Sequence, residues 1–229
     1  MVATQDVYDV VRASPAAVAA HDKAGWIALF DADYVIEDPV GWKQVRGADI
    51  SDFWDAFIAP NDIHFAVTHD WIDGLHVVRD VTVETTLRSG LVVRTPAHLR
   101  YELVERDDGL KVARMAAHWE VGPNVRQLLK PRATHLRSMV AMNASMLRNL
   151  GVADTARFAG AVRSVGARGK HAVRTHLGHR VQDLHKVIAS GNVVTASGTV
   201  DGSPAAVIAT LERRTRAVLD CRVYTDLLA

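Results

Sequence analysis

The chain has 229 residues, of which 48% are hydrophobic, so it can bury one large core or two smaller ones. Its formal net charge is +1, and acidic and basic residues are interspersed. This pattern gives neither a basic stripe for nucleic acid nor a polybasic arm for anionic lipid. We therefore expect a small-molecule or protein partner, with no nucleic acid and no membrane.

Cysteine and histidine usage argues against several kinds of site. The single cysteine, Cys221, cannot form an intramolecular disulfide, which fits a reducing compartment. The first 20 residues carry charges among their apolar positions, so they are typical of a helix rather than a signal peptide. We expect a cytoplasmic protein. The histidines lack metal-ligand spacing and no phosphate-binding loop is visible, so we expect neither a metal nor a cofactor.

The first part of the chain is predicted to be mainly helical. Ser14-Pro15 has the form of a helix start, with serine as N-cap and proline in the first turn. A helical stretch is expected from there to Phe30. A strand then ends in the phrase Ile36-Glu37-Asp38-Pro39-Val40-Gly41, and another helix is predicted over residues 48–57.

Alternating apolar and polar residues next predict four strands, at 63–71, 76–88, 91–106 and 110–120, separated by tight turns. In the first of them one half-buried face is expected to carry Ile63, Phe65, Val67, His69 and Trp71. Helices followed by an antiparallel meander describe an α+β fold.

The remaining sequence repeats this order. Residues 128–132 read as a linker, a helical run ends at Gly151, a glycine-led helix covers 169–177, and strands are predicted at 181–190, 193–200, 206–213 and 217–224. A period of roughly 110 residues indicates a tandem repeat. We predict domains at 1–124 and 132–229. The second copy is shortened and offers no carboxylate equivalent to Asp38.

One phrase carries a family resemblance. Gly25-Trp26-Ile27-Ala28-Leu29-Phe30, an acidic turn, and Ile36-Glu37-Asp38-Pro39-Val40-Gly41 resemble the start of the ketosteroid isomerase and SnoaL-like family. The resemblance implies an NTF2-like cone, helices packed on a curved antiparallel sheet, in which Asp38 is the catalytic base. It also implies cofactor-independent chemistry on a hydrophobic cyclic ligand, a steroid or polyketide. Dimerisation through the outer sheet face is implied too, as an intramolecular pseudo-dimer or a homodimer.

Burial in an apolar cone would raise the pKa of Asp38 and make it a better base. The neighbouring acids are expected elsewhere: Glu37 should face away from Asp38 by strand alternation, and Asp31 and Asp33 should lie in a solvated turn. The residues expected to bind the substrate are Tyr101, Trp54, Trp119, Met115, Phe57, Leu99 and His98. For these residues the pattern alone does not separate a cavity wall from a filled core.

The resemblance also indicates what is missing. The family has two oxyanion donors, a tyrosine and a protonated aspartic acid. Here the tyrosine's place falls at Ser14 or a nearby first-helix residue, and the acid's place falls at Ala97, with His98 as an alternative register. Two interpretations therefore stay open. The chain is an enzyme of isomerase or lyase type that uses Asp38, or it is a non-catalytic binding or assembly protein on the same scaffold.

Overall fold

Two β-sheets stacked face to face, each with helices on its other side, make up the protein. The computed structural model describes residues 3–128, 133–161 and 163–225. The first half contains α1 (Thr4–Ala19), α2 (Lys23–Ala28), β1 (Phe30–Glu37), α3 (Asp49–Phe53) with a following π-helical turn (Trp54–Ile58), β2 (Asp62–Asp73), β3 (His76–Thr86), β4 (Val92–Arg106) and β5 (Gly109–His118). The second half contains α4 (Val121–Leu128), α5 (Ala133–Gly160), α6 (Gly166–Leu177), β6 (Gln182–Ser190), β7 (Val193–Val200), β8 (Ser203–Leu211) and β9 (Val218–Thr225).

The first sheet has the strand order β1-β5-β4-β3-β2, in which β1 lies parallel to β5 and the other neighbours are antiparallel. Its inner face packs against α1, α2 and α3 through a core that includes Val11, Trp26, Ile36 and Phe53. The predicted α+β cone and its four-stranded meander are confirmed. Asp38 follows β1 directly, at the end of the strand that closes one edge of this sheet.

The predicted helix start at Ser14-Pro15 is wrong, because α1 already begins at Thr4 and encloses Pro15. Proline has no N–H to donate to the carbonyl four residues earlier, here that of Val11. Arg79 donates to that carbonyl instead, from Nη1 at 3.3 Å. Arg79 is buried and held by Asp70 through two hydrogen bonds of 2.7 and 2.8 Å. The helix therefore tolerates its proline because another donor satisfies the released carbonyl.

The predicted alternation along β2 is also interrupted. Ile63 and Phe65 pack against the core of the first half, but the pairing register shifts between Val67 and His69. Val67 is 44% exposed, and Trp71 lies in a separate cluster on the opposite face. A bulge inserts one residue and reverses the faces that follow. The single apolar face predicted for this strand therefore does not exist.

Asp31 departs from its expected place as well. It lies within β1, is buried, and receives two hydrogen bonds of 2.8 Å from Arg106, whereas Asp33 is exposed as expected. A bidentate arginine can compensate a carboxylate for lost hydration. Position in the sequence did not reveal this pairing, because Arg106 is 75 residues away.

The second half contains helix α6 and an antiparallel meander in the order β6-β7-β8-β9, as predicted. Its core is filled by apolar side chains, among them Val173, Leu177, Val194, Val207 and Leu211. Between α5 and α6 the described residues contain no strand equivalent to β1. The shared order supports the tandem repeat, which stays a prediction. The linker predicted at 128–132 falls, apart from Leu128, outside the described residues.

The outer faces of the two sheets meet in the middle of the molecule, with β2 beside β9 and β5 beside β6. An apolar cluster joins them, formed by Trp71, Val78, Ala206, Ile208 and Tyr224. The indole Nε1 of Trp71 also donates to the Pro204 carbonyl at 3.1 Å. This arrangement is compatible with the pseudo-dimer hypothesis.

A buried polar cluster lies beside this apolar one. His98 bonds Thr195 Oγ1 through Nδ1 at 2.8 Å and Ser197 Oγ through Nε2 at 2.9 Å, and Lys186 forms an ion pair with Asp80. Burial acts to raise the pKa of Asp80, but hydrogen bonds from His98, Lys186 and Ser197 outweigh it and hold that pKa below its ordinary value. The pairing follows the rule that buried polar groups find partners.

No helix in the described ranges is long and apolar enough to cross a membrane.

The tightest approach between the halves is at Gly41 and Gly191. A Cβ on Gly191 would lie 2.8 Å from Gly41 Cα, and Gly191 has φ +57°. Gly74 has φ +58° and nothing within 4 Å of its added Cβ, so it is a matched control. We expect both alanine variants to lose roughly 1–2 kcal/mol of unfolding free energy from the left-handed backbone.

Gly191→Ala should lose a further 1–3 kcal/mol or so from the clash. Urea unfolding of both variants measures the difference. Equal losses would show that this approach between the halves is not maintained in solution.

Candidate active site

A cavity of about 760 Å³ opens between the inner face of the first sheet, the helices that cover it, and helix α5. Its wall is mostly apolar, as expected for a small-molecule site. The structure places these predicted site residues on the wall: Asp38, Tyr101, Trp119, Met115, Phe57 and Leu99. Their roles in binding or catalysis stay predictions.

Two predicted substrate-binding residues lie elsewhere. Trp54 is buried in the core with its ring 5.4 Å from that of Trp26, and Trp26 lines the cavity in its place. His98 faces the second sheet, because successive residues of β4 point to opposite faces and Ala97 and Leu99 face the cavity. The structure thus puts Ala97, and not His98, on the cavity wall; the assignment of Ala97 to the family's acid position stays a prediction.

Asp38 and Glu37 separate as strand alternation predicts. Glu37 pairs with Arg114 on the other side of the strand, with Arg114 Nε 3.1 Å from Oε2. Asp38 faces the cavity, and its Oδ1 accepts a hydrogen bond of 2.6 Å from Trp119 Nε1. Burial raises the pKa of Asp38 to about 6, and the Trp119 hydrogen bond acts in the opposite direction. A carboxylate with this pKa is ionised at neutral pH and is a stronger base than one at the surface.

A hydroxyl pair lies in the same cavity. Trp26 Nε1 donates to Ser14 Oγ at 3.1 Å, and Ser14 lies close enough to Tyr101 to lower its pKa. Burial raises the pKa of Tyr101, and the Asp38 charge contributes in the same direction, while Ser14 and the Arg79 charge lower it. Tyr101 is therefore a neutral hydroxyl at physiological pH, close enough to Asp38 to interact with the same bound molecule.

Helix α5 supplies a wall that the sequence did not predict. Ser145 and Asn149 donate to backbone carbonyls of the π-helical turn, each at 3.1 Å, and both line the cavity. Beyond a kink at Gly151, Asp154 Oδ2 accepts from Lys43 Nζ at 2.7 Å. Phe158, one turn after Asp154 on the same helix, also lines the cavity.

The ring of Phe158 packs among three aromatic residues of the first half. Its centroid lies 5.4 Å from Trp42, 5.6 Å from Phe57 and 6.3 Å from Trp119. The sequence assigned this helix to the second domain, 132–229, whereas the structure packs it on the first cone; the boundary itself stays a prediction. The only signal was a lone phenylalanine in an alanine-rich helix, which does not specify its partner.

Among the residues described, no group of three His, Cys, Asp or Glu side chains is arranged to hold a metal ion.

The raised pKa of Asp38 implies a stability cost. The native state holds the proton more tightly than the unfolded chain, whose aspartates titrate near 3.9, so this group's contribution to stability falls as pH rises from about 4 to 6. In Asp38→Asn the new amide would not titrate but would keep an acceptor for Trp119. We expect the stability advantage of this variant to be smallest at pH 4 and to grow by up to about 3 kcal/mol at pH 8. Urea unfolding at both pH values tests this, and a difference that does not change with pH would contradict it.

Comparisons with known proteins identify a family and several structural neighbours. A model of the SnoaL-like domain family matches residues 11–121. A Δ5-3-ketosteroid isomerase from Mycobacterium sp. is similar at 25% identity, over 52% of this chain and 95% of that one, with a TM-score of 0.47. A Mycobacterium tuberculosis protein solved with estradiol-17β-hemisuccinate is similar at 21% identity over 51% of this chain and 95% of that one, with a TM-score of 0.46.

An M. tuberculosis LEH-like epoxide hydrolase gives 20% identity over 62% and 97% of the two chains, with a TM-score of 0.46. A search of curated proteins finds no match. Residues 11–121, just under half of the chain, are therefore similar to the SnoaL-like domain family.

Proposed function

We propose that the protein is a cofactor-independent enzyme of isomerase or lyase type, in which Asp38 moves a proton on a hydrophobic cyclic substrate such as a steroid or polyketide. The observation that carries this proposal is a carboxylate with a raised pKa that faces a cavity of about 760 Å³. A cavity of this size accommodates a polycyclic molecule. A purely structural aspartate would have no need of the empty space beside it.

The proposed step is an enolisation. The Asp38 carboxylate removes a proton from the carbon next to a substrate carbonyl, and the C–H electron pair becomes the enolate double bond as charge moves to the carbonyl oxygen. Asp38 then returns the proton to another carbon of the conjugated system. The Trp119 hydrogen bond holds one carboxylate oxygen and so fixes the group's direction, which leaves the other oxygen for the substrate.

Charge that develops on the substrate oxygen needs a hydrogen-bond donor. The Tyr101 hydroxyl has this role in the proposal. In this arrangement Trp26 donates to Ser14, the Ser14 hydroxyl would donate in turn to Tyr101, and the Tyr101 proton would then be free for the substrate oxygen. The aliphatic and aromatic side chains of Leu99, Met115 and Phe57 hold the ring system and exclude water.

A second function is favoured by one observation. Ser14 and Ala97, where the resemblance puts the family's two donors, both line the cavity, and Ala97 offers no polar group to it. A protein that binds the same class of ligand without turnover would retain the cavity and could lose these donors. The two functions differ in whether proton exchange depends on Asp38.

A matched pair of substitutions tests the base. We expect Asp38→Asn to reduce conversion of androst-5-ene-3,17-dione to its conjugated isomer, or α-carbon deuterium exchange in a panel of polycyclic ketones, by about 10²–10⁴-fold. Glu37→Gln removes the neighbouring carboxylate, which faces away from the cavity, and should leave the rate within a few fold. Exchange that persists in Asp38→Asn would refute the assignment. Ligand binding without exchange in either protein would favour the binding function.

The Trp119 hydrogen bond gives a pH-dependent test. Activity should rise with pH through a midpoint of about 6 and then level off, since only ionised Asp38 is a base. Trp119→Phe keeps an aromatic ring and removes the donor that stabilises the carboxylate, so the midpoint of kcat/KM should move to higher pH. A midpoint that stays in place or falls would mean that another group controls the rate.

A further inference from the structure

The cavity has a buried end and an exposed end that differ in charge. Tyr101 is buried and marks the inner end of the wall, to which the half-buried Asp38 and Trp119 also belong. The wall residues that are exposed to solvent belong to three segments: the π-helical turn and its neighbour (Asp55, Ala59), the β3–β4 turn (Arg88, Ser89) and helix α5 (Ala141, Ala144, Arg148). The entrance therefore lies between these segments.

The entrance carries an excess of positive charge. Asp55 is its one acidic residue among those described, and Lys23 Nζ neutralises it at 2.8 Å from both carboxylate oxygens. Arg88 and Arg148 are the cationic residues of the wall, and within the described part of the chain neither has an ion-pair partner. Two guanidinium groups on different segments thus remain available to a ligand at the mouth of an apolar cavity.

Arginine is suited to bind planar anionic oxygen groups, because its donors form a fixed fork. A carboxylate also gains more from a cation at the edge of a low-dielectric cavity than in open water. The volume of about 760 Å³ lies in the upper part of the range of drug-sized sites, roughly 300–1,000 Å³, and leaves room for a ring system with a side chain.

We propose that Arg88 and Arg148 form an anion subsite at the cavity entrance, so that the preferred ligand is a polycyclic molecule with a carboxylate or another anionic oxygen group at the end remote from Asp38. This inference rests on the proposed function only for the orientation of the ring system. The subsite depends on helix α5, since Arg148 reaches the entrance from that helix.

The test compares two probes of nearly equal size: estradiol-17β-hemisuccinate and its methyl ester. The free acid should bind the full chain about fivefold more tightly than the ester at low salt, as expected for two partly exposed ion pairs. Added salt should reduce this preference. Arg88→Gln and Arg148→Gln should each reduce it, and the double variant should remove it without changing the affinity for the ester.

Arg213→Gln is the control, since Arg213 is exposed in the second half and is absent from the cavity wall. Equal binding of acid and ester to the wild type, or a preference that survives in the double variant, would overturn the proposal. The preference should also persist in Asp38→Asn. Absence of proton exchange in the wild type would therefore refute the proposed chemistry and leave the subsite unaffected. Proton exchange without a preference for the acid over the ester would refute the subsite alone.

Discussion

The constraint on which this structure depends is the desolvation of one carboxylate. Asp38 can have a raised pKa only if protein atoms replace water on every side except the one reserved for a ligand. The inner face of the first sheet supplies part of that environment, and α1, α2 and the π-helical turn supply another. Trp119 provides one hydrogen bond, which keeps the ionised form accessible at neutral pH. A second strong donor would lower the pKa and weaken the base.

The second half of the chain has its effect on this site through two different surfaces. Its sheet covers part of the outer face of the first sheet, so residues 77–81 of β3 and 97–99 of β4 are buried on both faces. The paired Asp80 and Lys186, with His98 between two hydroxyls, fix one register for that contact because any shift would leave a buried charge unpaired. Helix α5 acts from the opposite side and completes the cavity wall with Phe158.

Much of the fold followed from the sequence, because it is encoded locally. Tight turns and alternating residues predicted all eight strands of the two meanders, and the aspartate phrase predicted the end of β1. What escaped prediction depends on contacts that are distant in sequence. The bulge in β2 reversed the face of Trp71, and Arg79 allowed Pro15 to sit inside a helix. The same holds for the site. Strand alternation puts Ala97 and His98 on opposite faces of β4, but the sequence alone did not say which of them faces the cavity. No local pattern predicted that Phe158 packs near Trp119.

The two halves also differ in how they use their apolar residues. The sheet of the second half packs on α6 through an apolar core, whereas the first half contains an empty volume and an ionised group, both of which reduce stability. Removing apolar contacts around a cavity has a cost that grows with its volume, and folded domains have only about 5–15 kcal/mol in reserve. A second sheet that buries the outer face of the first offsets this loss from outside the cavity. The second half is therefore understandable as a stabilising element for the first, and this role requires no base.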